Sequence, residues 1–193
     1  MESAVTIDVP GNLAVAASSS LLDDFDSVVE QHWPRIYRYA YAALHDADEA
    51  QSVAQDCFVR AYRARSQFRG ESTLATWLIQ IAVNLVRDRI RTRRLQFWKT
   101  VSARSVEVGE AGRWLSDRAP TPEAQASTRQ QVAEVWKAVD SLSSRQRTVF
   151  LLRFVEGMDL AEIAEVTGIK QGTAKAHLFR ALSAVRQRVG AMR

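Results

Sequence analysis

Cysteine is almost missing. Cys57 stands alone in 193 residues, so no intrachain disulfide can form and cysteines cannot assemble a zinc site. The three histidines, His32, His45 and His177, are scattered without the spacing of metal ligands. Glycine and proline are few, at eight and four, and no long segment alternates apolar with polar residues. Those shortages argue against a sheet protein and for an all-helical one. No run is apolar over the ~18 residues that a membrane-spanning helix needs. The opening stretch "MESAVTIDVPGNLAVAASSS" has neither a basic start nor a long apolar centre, so it is not read as a signal peptide. The expectation is a soluble, intracellular chain. A Gly-rich phosphate loop, a metal motif and a Cys–His or Ser–His arrangement are all lacking, so no enzyme, metal, cofactor or small-molecule substrate is expected.

What is present is a packable helical sequence with unevenly placed charge. Hydrophobic residues make up 47% and charged residues 25%, the balance of a globular protein. The net charge is only +4, yet Asp23, Asp24, Asp26 and Glu30 gather early whereas Arg87, Arg89, Arg91, Arg93 and Arg94 crowd one short segment. Such a basic block serves a polyanion even when the sum is modest.

Residues 1–20 are small, polar and aperiodic, and are expected to form a mobile arm. Helical patterning then fills 21–95, with breaks at "LHDADEA", where Asp46 can cap a helix, and at "SQFRGEST", where Gly70 stops one helix and Ser72 or Thr73 starts the next. Val53, Cys57, Phe58 and Ala61 fall on one face, as do Leu74, Trp77, Leu78, Ile81, Ala82 and Leu85. Periodicity fails over 96–127, where two glycines, two prolines and small polar residues make a flexible linker of "EVGEAGRWLSDRAPTPEAQAS". A second small helical domain is expected over 128–193.

Within that second domain, "GMDLAEIAEVTGIKQGTAKAHLFRAL" is punctuated like a helix-turn-helix. Asp159 and Glu162 form a capping-box pair, Gly168 supplies the tight turn and Ile169 plugs back into the core. In the second helix Ala174, Leu178, Ala181 and Leu182 share one face. The opposite side carries Ala176, Phe179 and Arg180, flanked by Lys175 and His177. Small Ala176 permits close approach to a groove, and Lys175 and Arg180 reach phosphates or guanine edges. A DNA-reading helix fits this face better than a plain hairpin, and it suits a repressor, an activator or an initiation factor about equally.

"FRGESTLATWLIQIAVNLVRDRIRTRR" is the most distinctive run. An apolar helix anchored by Trp77 runs into an arginine-dense end, with Asn84, a poor helix former, in its middle. Each residue taken singly fits a solvated surface. Together with the Gly70 loop they fit a nucleic-acid surface where aromatic and polar loop residues hold unstacked bases.

From about Phe25 to Val189 the chain resembles the extracytoplasmic-function (ECF) sigma factors of bacterial RNA polymerase. The likeness is carried in order by "DADEAQSVAQDCFVRAYR", "FRGESTLATWLIQIAVNLVRDRIR", a "TPE" linker and "LSSRQRTVFLLRFVEGMDLAEIAEVTGIKQGTAKAHLFRAL". The resemblance implies that Gln55, Asp56 and Phe58 dock on the clamp helices of the largest core-polymerase subunit, and that the second half meets the flap of the second-largest. It implies a minus-ten DNA surface of Phe68, Arg69, Ser72, Asn84, Arg87 and Arg91. It implies a minus-thirty-five reader made of Thr173, Lys175, Ala176, His177, Phe179 and Arg180. Promoter DNA, an anti-sigma partner, a stress- or envelope-linked regulon and a place in the cytoplasm, or at the inner membrane face when held there by the anti-sigma partner, follow from the same likeness. The sequence departs from the family at Gln51 and Ser52, where acidic residues are common, and at Ser143, where proline is usual. The main rival is a stand-alone regulator of the response-regulator-effector type, since "TGIKQGTAKAHL" resembles that recognition helix too; the N-terminal half, however, lacks an alternating βα pattern.

Overall fold

The computed structural model describes residues 24–101 and 132–190, with side chains over 24–95 and 132–190. The expected arm (1–20), the linker beyond 101 and residues 128–131 lie outside the described residues. Among the described residues every regular element is helical.

Helix α1, Phe25–Leu44, opens where the Asp24 carboxylate accepts the Ser27 backbone N–H, and ends at His45, whose positive φ turns the chain. Helix α2, Ala47–Ala64, begins at the expected Asp46, which accepts from the Glu49 N–H at 2.9 Å. A single 3-10 turn, Arg65–Gln67, leads into a loop in which Gly70 adopts φ 69°, a left-handed conformation that costs glycine nothing. Helix α3, Leu74–Val101, follows. Of the two candidate caps, Thr73 takes the role: its hydroxyl accepts the Thr76 N–H at 3.1 Å and bonds the buried Thr76 hydroxyl at 2.8 Å. The helix runs on to Val101, past Leu95 where the apolar repeat gives out.

These three helices pack on one another. Ile36, Tyr39 and Ala40 from α1, Val53, Ala54, Cys57 and Ala61 from α2, and Leu78, Ile79, Ala82 and Val83 from α3 are almost wholly removed from water. Each large apolar side chain so buried contributes about 1.5–3 kcal/mol. Aromatic residues close one end, with Trp33 stacked on Phe58 at 5.8 Å and Phe25 edge-on to Tyr62 at 5.2 Å.

The second half begins with a helix, α4, over 132–140, followed by α5, Ser144–Phe154. Ser143, standing where the family favours proline, starts α5 with its N–H donated to the Gln146 side chain at 3.1 Å. Helices α6, Leu160–Thr167, and α7, Gln171–Gly190, form the helix-turn-helix. The capping box is complete: Asp159 accepts the Ala161 and Glu162 N–H groups, and Glu162 accepts that of Asp159 at 2.8 Å. Gly168 at φ 67° ends α6 in the left-handed region, as a tight turn requires.

Helix α1 lies against α5 and α3 against α6, so the buried apolar residues of both halves form one continuous cluster.

Candidate nucleic-acid interface

Helix α3 displays one polar stripe. Asn84, Arg87 and Arg91 are exposed at positions that share a helical face, and Gln80, one turn before Asn84, extends the row toward the loop. Gln80 was not singled out from the sequence, although its spacing from Asn84 carried the signal. The arginine cluster divides by partner. Arg93 donates to Glu49 at 2.8 Å and to the Leu44 carbonyl at 3.3 Å, and pairs with Asp46 at 3.2 Å, which ties the end of α3 to the α1–α2 turn. Arg89 pairs with Asp56 of α2 at 3.2 Å. Those two arginines are structural. Arg91 has only an exposed pair with Asp88, which is energetically weak and readily exchanged for a phosphate. Arg87 has no ion pair among the described residues.

At the start of the stripe the loop makes a cleft of about 370 Å³ lined by Gln67, Phe68, Arg69, Glu71, Ser72, Trp77, Gln80 and Glu165. Phe68 is half-buried against Trp77, with ring centroids 5.1 Å apart. Arg69 is exposed and its contact with Glu71 is long, at 3.9 Å. An aromatic wall beside polar and basic edges offers stacking to a single base and charge to its phosphate. The structure therefore brings Phe68, Arg69 and Ser72 together, and sets Asn84, Arg87 and Arg91 in line beyond them.

On α2, Gln55 and Asp56 are exposed, but Phe58 is buried under Trp33 and Phe25. Phe58 fixes α2 in place and presents no contact surface of its own. The apolar groups that α2 does present are Val59 and Tyr62, each 48% exposed. They sit off the helix's apolar stripe, and that misplacement was the available sequence signal. Arg65 lies over the Tyr62 ring at 3.9 Å and holds it in position. Ser52 turns its hydroxyl back to the Asp48 carbonyl at 2.9 Å, and Gln51 is exposed.

The recognition helix α7 keeps Ala174 and Ala181 wholly buried and Leu178 and Leu182 partly so. Thr173, Lys175, Phe179 and Arg180 are exposed, whereas Ala176 and His177 are half-buried between them. Phe179 is 70% exposed, the most open of the large apolar side chains described. His177 is anchored differently from its neighbours: its Nδ1 is buried and has no partner among the described residues.

Two helical modules, one ending in a helix-turn-helix and one bearing a basic stripe beside an aromatic loop, define a two-part nucleic-acid-binding protein. The sigma-70 region 2 family profile matches residues 28–96 and the sigma-70 region 4 profile matches 133–185. The chain is 36% identical to the RNA polymerase sigma-H factor of Pseudomonas aeruginosa over 163 residues, 83% of each chain. It is 28% identical to the ECF RNA polymerase sigma factor SigW of Bacillus subtilis, over 86% of this chain and 89% of that one. Its fold matches the sigma factor RpoE of Bartonella quintana, solved with the anti-sigma factor NepR, at a TM-score of 0.70 and 20% identity over 88% of this chain and 99% of that one. The chain belongs to the extracytoplasmic-function group of the sigma-70 family of RNA polymerase sigma factors.

Proposed function

We propose that this chain binds core RNA polymerase and directs it to promoters at which it opens DNA, with each half holding a different promoter element. The observation that carries this reading is the continuity of the Phe68–Trp77 cleft with the Gln80, Asn84, Arg87 and Arg91 stripe, on the same chain as a capped helix-turn-helix. In this scheme Phe68, Arg69 and Ser72 receive unstacked minus-ten bases, and Asn84, Arg87 and Arg91 hold the strand. Stacking on an aromatic ring is worth about 1–3 kcal/mol per base, which helps offset the cost of opening the duplex. Thr173, Lys175, Ala176, His177, Phe179 and Arg180 read the minus-thirty-five element in the major groove. The exposed α2 surface of Gln55, Asp56, Val59 and Tyr62 meets the clamp helices of the largest polymerase subunit, and the C-terminal half meets the flap of the second-largest.

The chain acts by binding and calls for no cofactor, metal, small-molecule substrate or catalytic residue. Its domains are an arm over 1–20, a promoter-opening domain over 21–95, a linker over 96–127 and an upstream-element domain over 128–193. An anti-sigma partner restrains it, as the fold match with a sigma factor in complex with NepR supports, and its regulon answers a stress or envelope signal. Among the described residues no helix is long and apolar enough to cross a membrane; the reading places the chain in the cytoplasm, or at the inner membrane face when the partner holds it there. Promoter-directed transcription by core polymerase, with and without the purified chain, tests this reading. Tight DNA binding by the chain alone, with no promoter-directed transcript from the mixture, would overturn it in favour of a stand-alone regulator.

A further inference from the structure

The two halves meet through contacts stronger than a linker alone requires. Glu156, which follows α5, has a side chain with no exposed surface. Its carboxylate accepts from Arg35 Nε at 2.7 Å and from Arg38 at 3.3 Å, both on α1 in the other half. Beside it the Tyr39 side chain is buried to 1% exposure, and its hydroxyl is hydrogen-bonded to Thr148 of α5. At the rim His45 meets Asp140 at 2.5 Å, and Asp140 also pairs with Arg147 at 3.2 Å.

This contact approaches the two DNA surfaces unequally: Asn84, Arg87 and Arg91 keep exposed side chains, but the C-terminal half walls the space beside Arg87 and the loop. Arg87 lies in a cleft of about 360 Å³ whose other walls are Ser144, Arg145, Thr148, Val149, Thr167, Gly168 and Ile169, all from the C-terminal half. Glu165 of α6 lines the cleft of Phe68 and Trp77, where its carboxylate opposes an incoming phosphate. Thr173, Lys175, Phe179 and Arg180 on α7 remain exposed.

We propose that Arg35, Arg38 and Glu156 form an intramolecular latch that holds the chain closed, with the C-terminal half crowding a strand's approach to Arg87 and the Phe68–Trp77 cleft while leaving the minus-thirty-five helix free. The proposal rests on the assignment of the α3 stripe and its loop to minus-ten DNA. The latch is electrostatic at its centre. A buried carboxylate is tolerable only while its partners are in place, and opening returns it to water. Removing the arginines therefore penalises the closed state and not the open one. A strand that binds only the open state has its apparent affinity lowered in proportion to the closed fraction. Duplex contacts through α7 carry no such penalty.

The test uses the full chain with a donor–acceptor dye pair on Arg63→Cys and Gln187→Cys, both exposed positions; Cys57 is buried and does not label. Arg35→Ala with Arg38→Ala is expected to lower energy transfer and to raise affinity for a labelled oligothymidylate by about tenfold or more. Affinity for non-specific duplex DNA, held by α7, stays unchanged. Arg35→Lys with Arg38→Lys keeps the charges and is expected to restore most of the transfer. Glu156→Gln, which keeps the volume of the side chain, reports on the same latch from the other half should the alanine pair disturb α1. Transfer that is equal in the parent chain, the alanine pair and Glu156→Gln overturns the latch, as does a parent chain already at the transfer of the alanine pair. This outcome is separate from the transcription test. A chain that initiates transcription but shows no change in transfer is a sigma factor without a latch. A chain that opens on mutation yet binds oligothymidylate no better contradicts the crowding of this surface.

Discussion

Cys57 shows how a residue with reactive chemistry is turned into packing. Its thiol is fully buried, donates to the Leu78 carbonyl at 3.4 Å, and is pushed up to about 12 by burial. The thiolate is the reacting species, so burial that disfavours it leaves Cys57 as a packing residue in the folded chain. A thiol reagent is expected to modify the native protein far more slowly than the chain in denaturant; equal rates in the two states would contradict this placement. His32 behaves oppositely in charge. Burial, with the nearby positive Arg35, lowers its pKa from the ordinary value. The unfolded chain then takes up a proton more readily than the folded one, so the stability that neutral His32 contributes is complete above about pH 6.5 and is lost as pH falls through its depressed value. Denaturant titrations at several pH values are expected to show this decline, and His32→Gln is expected to flatten it. An unchanged decline in the variant would assign it to other groups.

At the scale of elements, the caps were legible in the sequence because they are local. Asp46, Asp159 with Glu162, and Gly168 act within a single turn of where their pattern places them. Asp159→Ala removes an acceptor used by two backbone donors and is expected to cost about 0.5–2 kcal/mol of C-terminal-half stability, read as a lower denaturation midpoint at unchanged slope. A midpoint that does not move would deny the cap its role. The face of α7 was legible for the same reason, whereas within the arginine cluster of α3 only the family resemblance set Arg87 and Arg91 apart from their neighbours. What escaped depended on partners remote in sequence. Arg89 and Arg93 looked like their neighbours but are held by Asp56, Asp46 and Glu49 from α2 and its N-cap. Phe58 belonged to the apolar face of α2, and it is buried under Trp33. The apolar side chains that α2 exposes are Val59 and Tyr62.

For the whole molecule, the decisive fact is that a module with a basic stripe and a module with a helix-turn-helix share one chain and, in this structure, one core. The bond between Glu156 and Arg35 joins residues 121 positions apart, a distance no periodicity can report. Two modules on one linker gain effective concentration only when both elements lie within reach, so a closed chain suits a factor that commits to DNA after it has met polymerase. The central claim is that the halves grip different promoter elements. Transcription by core polymerase with the chain, on a promoter carrying both elements and on versions with either element scrambled, measures that claim most directly. Arg180→Ala is expected to lose activity on the intact promoter and to become indifferent to scrambling of the upstream element, with polymerase binding unchanged. Asn84→Ala with Arg87→Ala is expected to retain upstream-element dependence but to fail at strand opening. If both variants lose the same dependence, or if Arg180→Ala loses polymerase binding to the same degree as promoter use, the two-point grip is wrong.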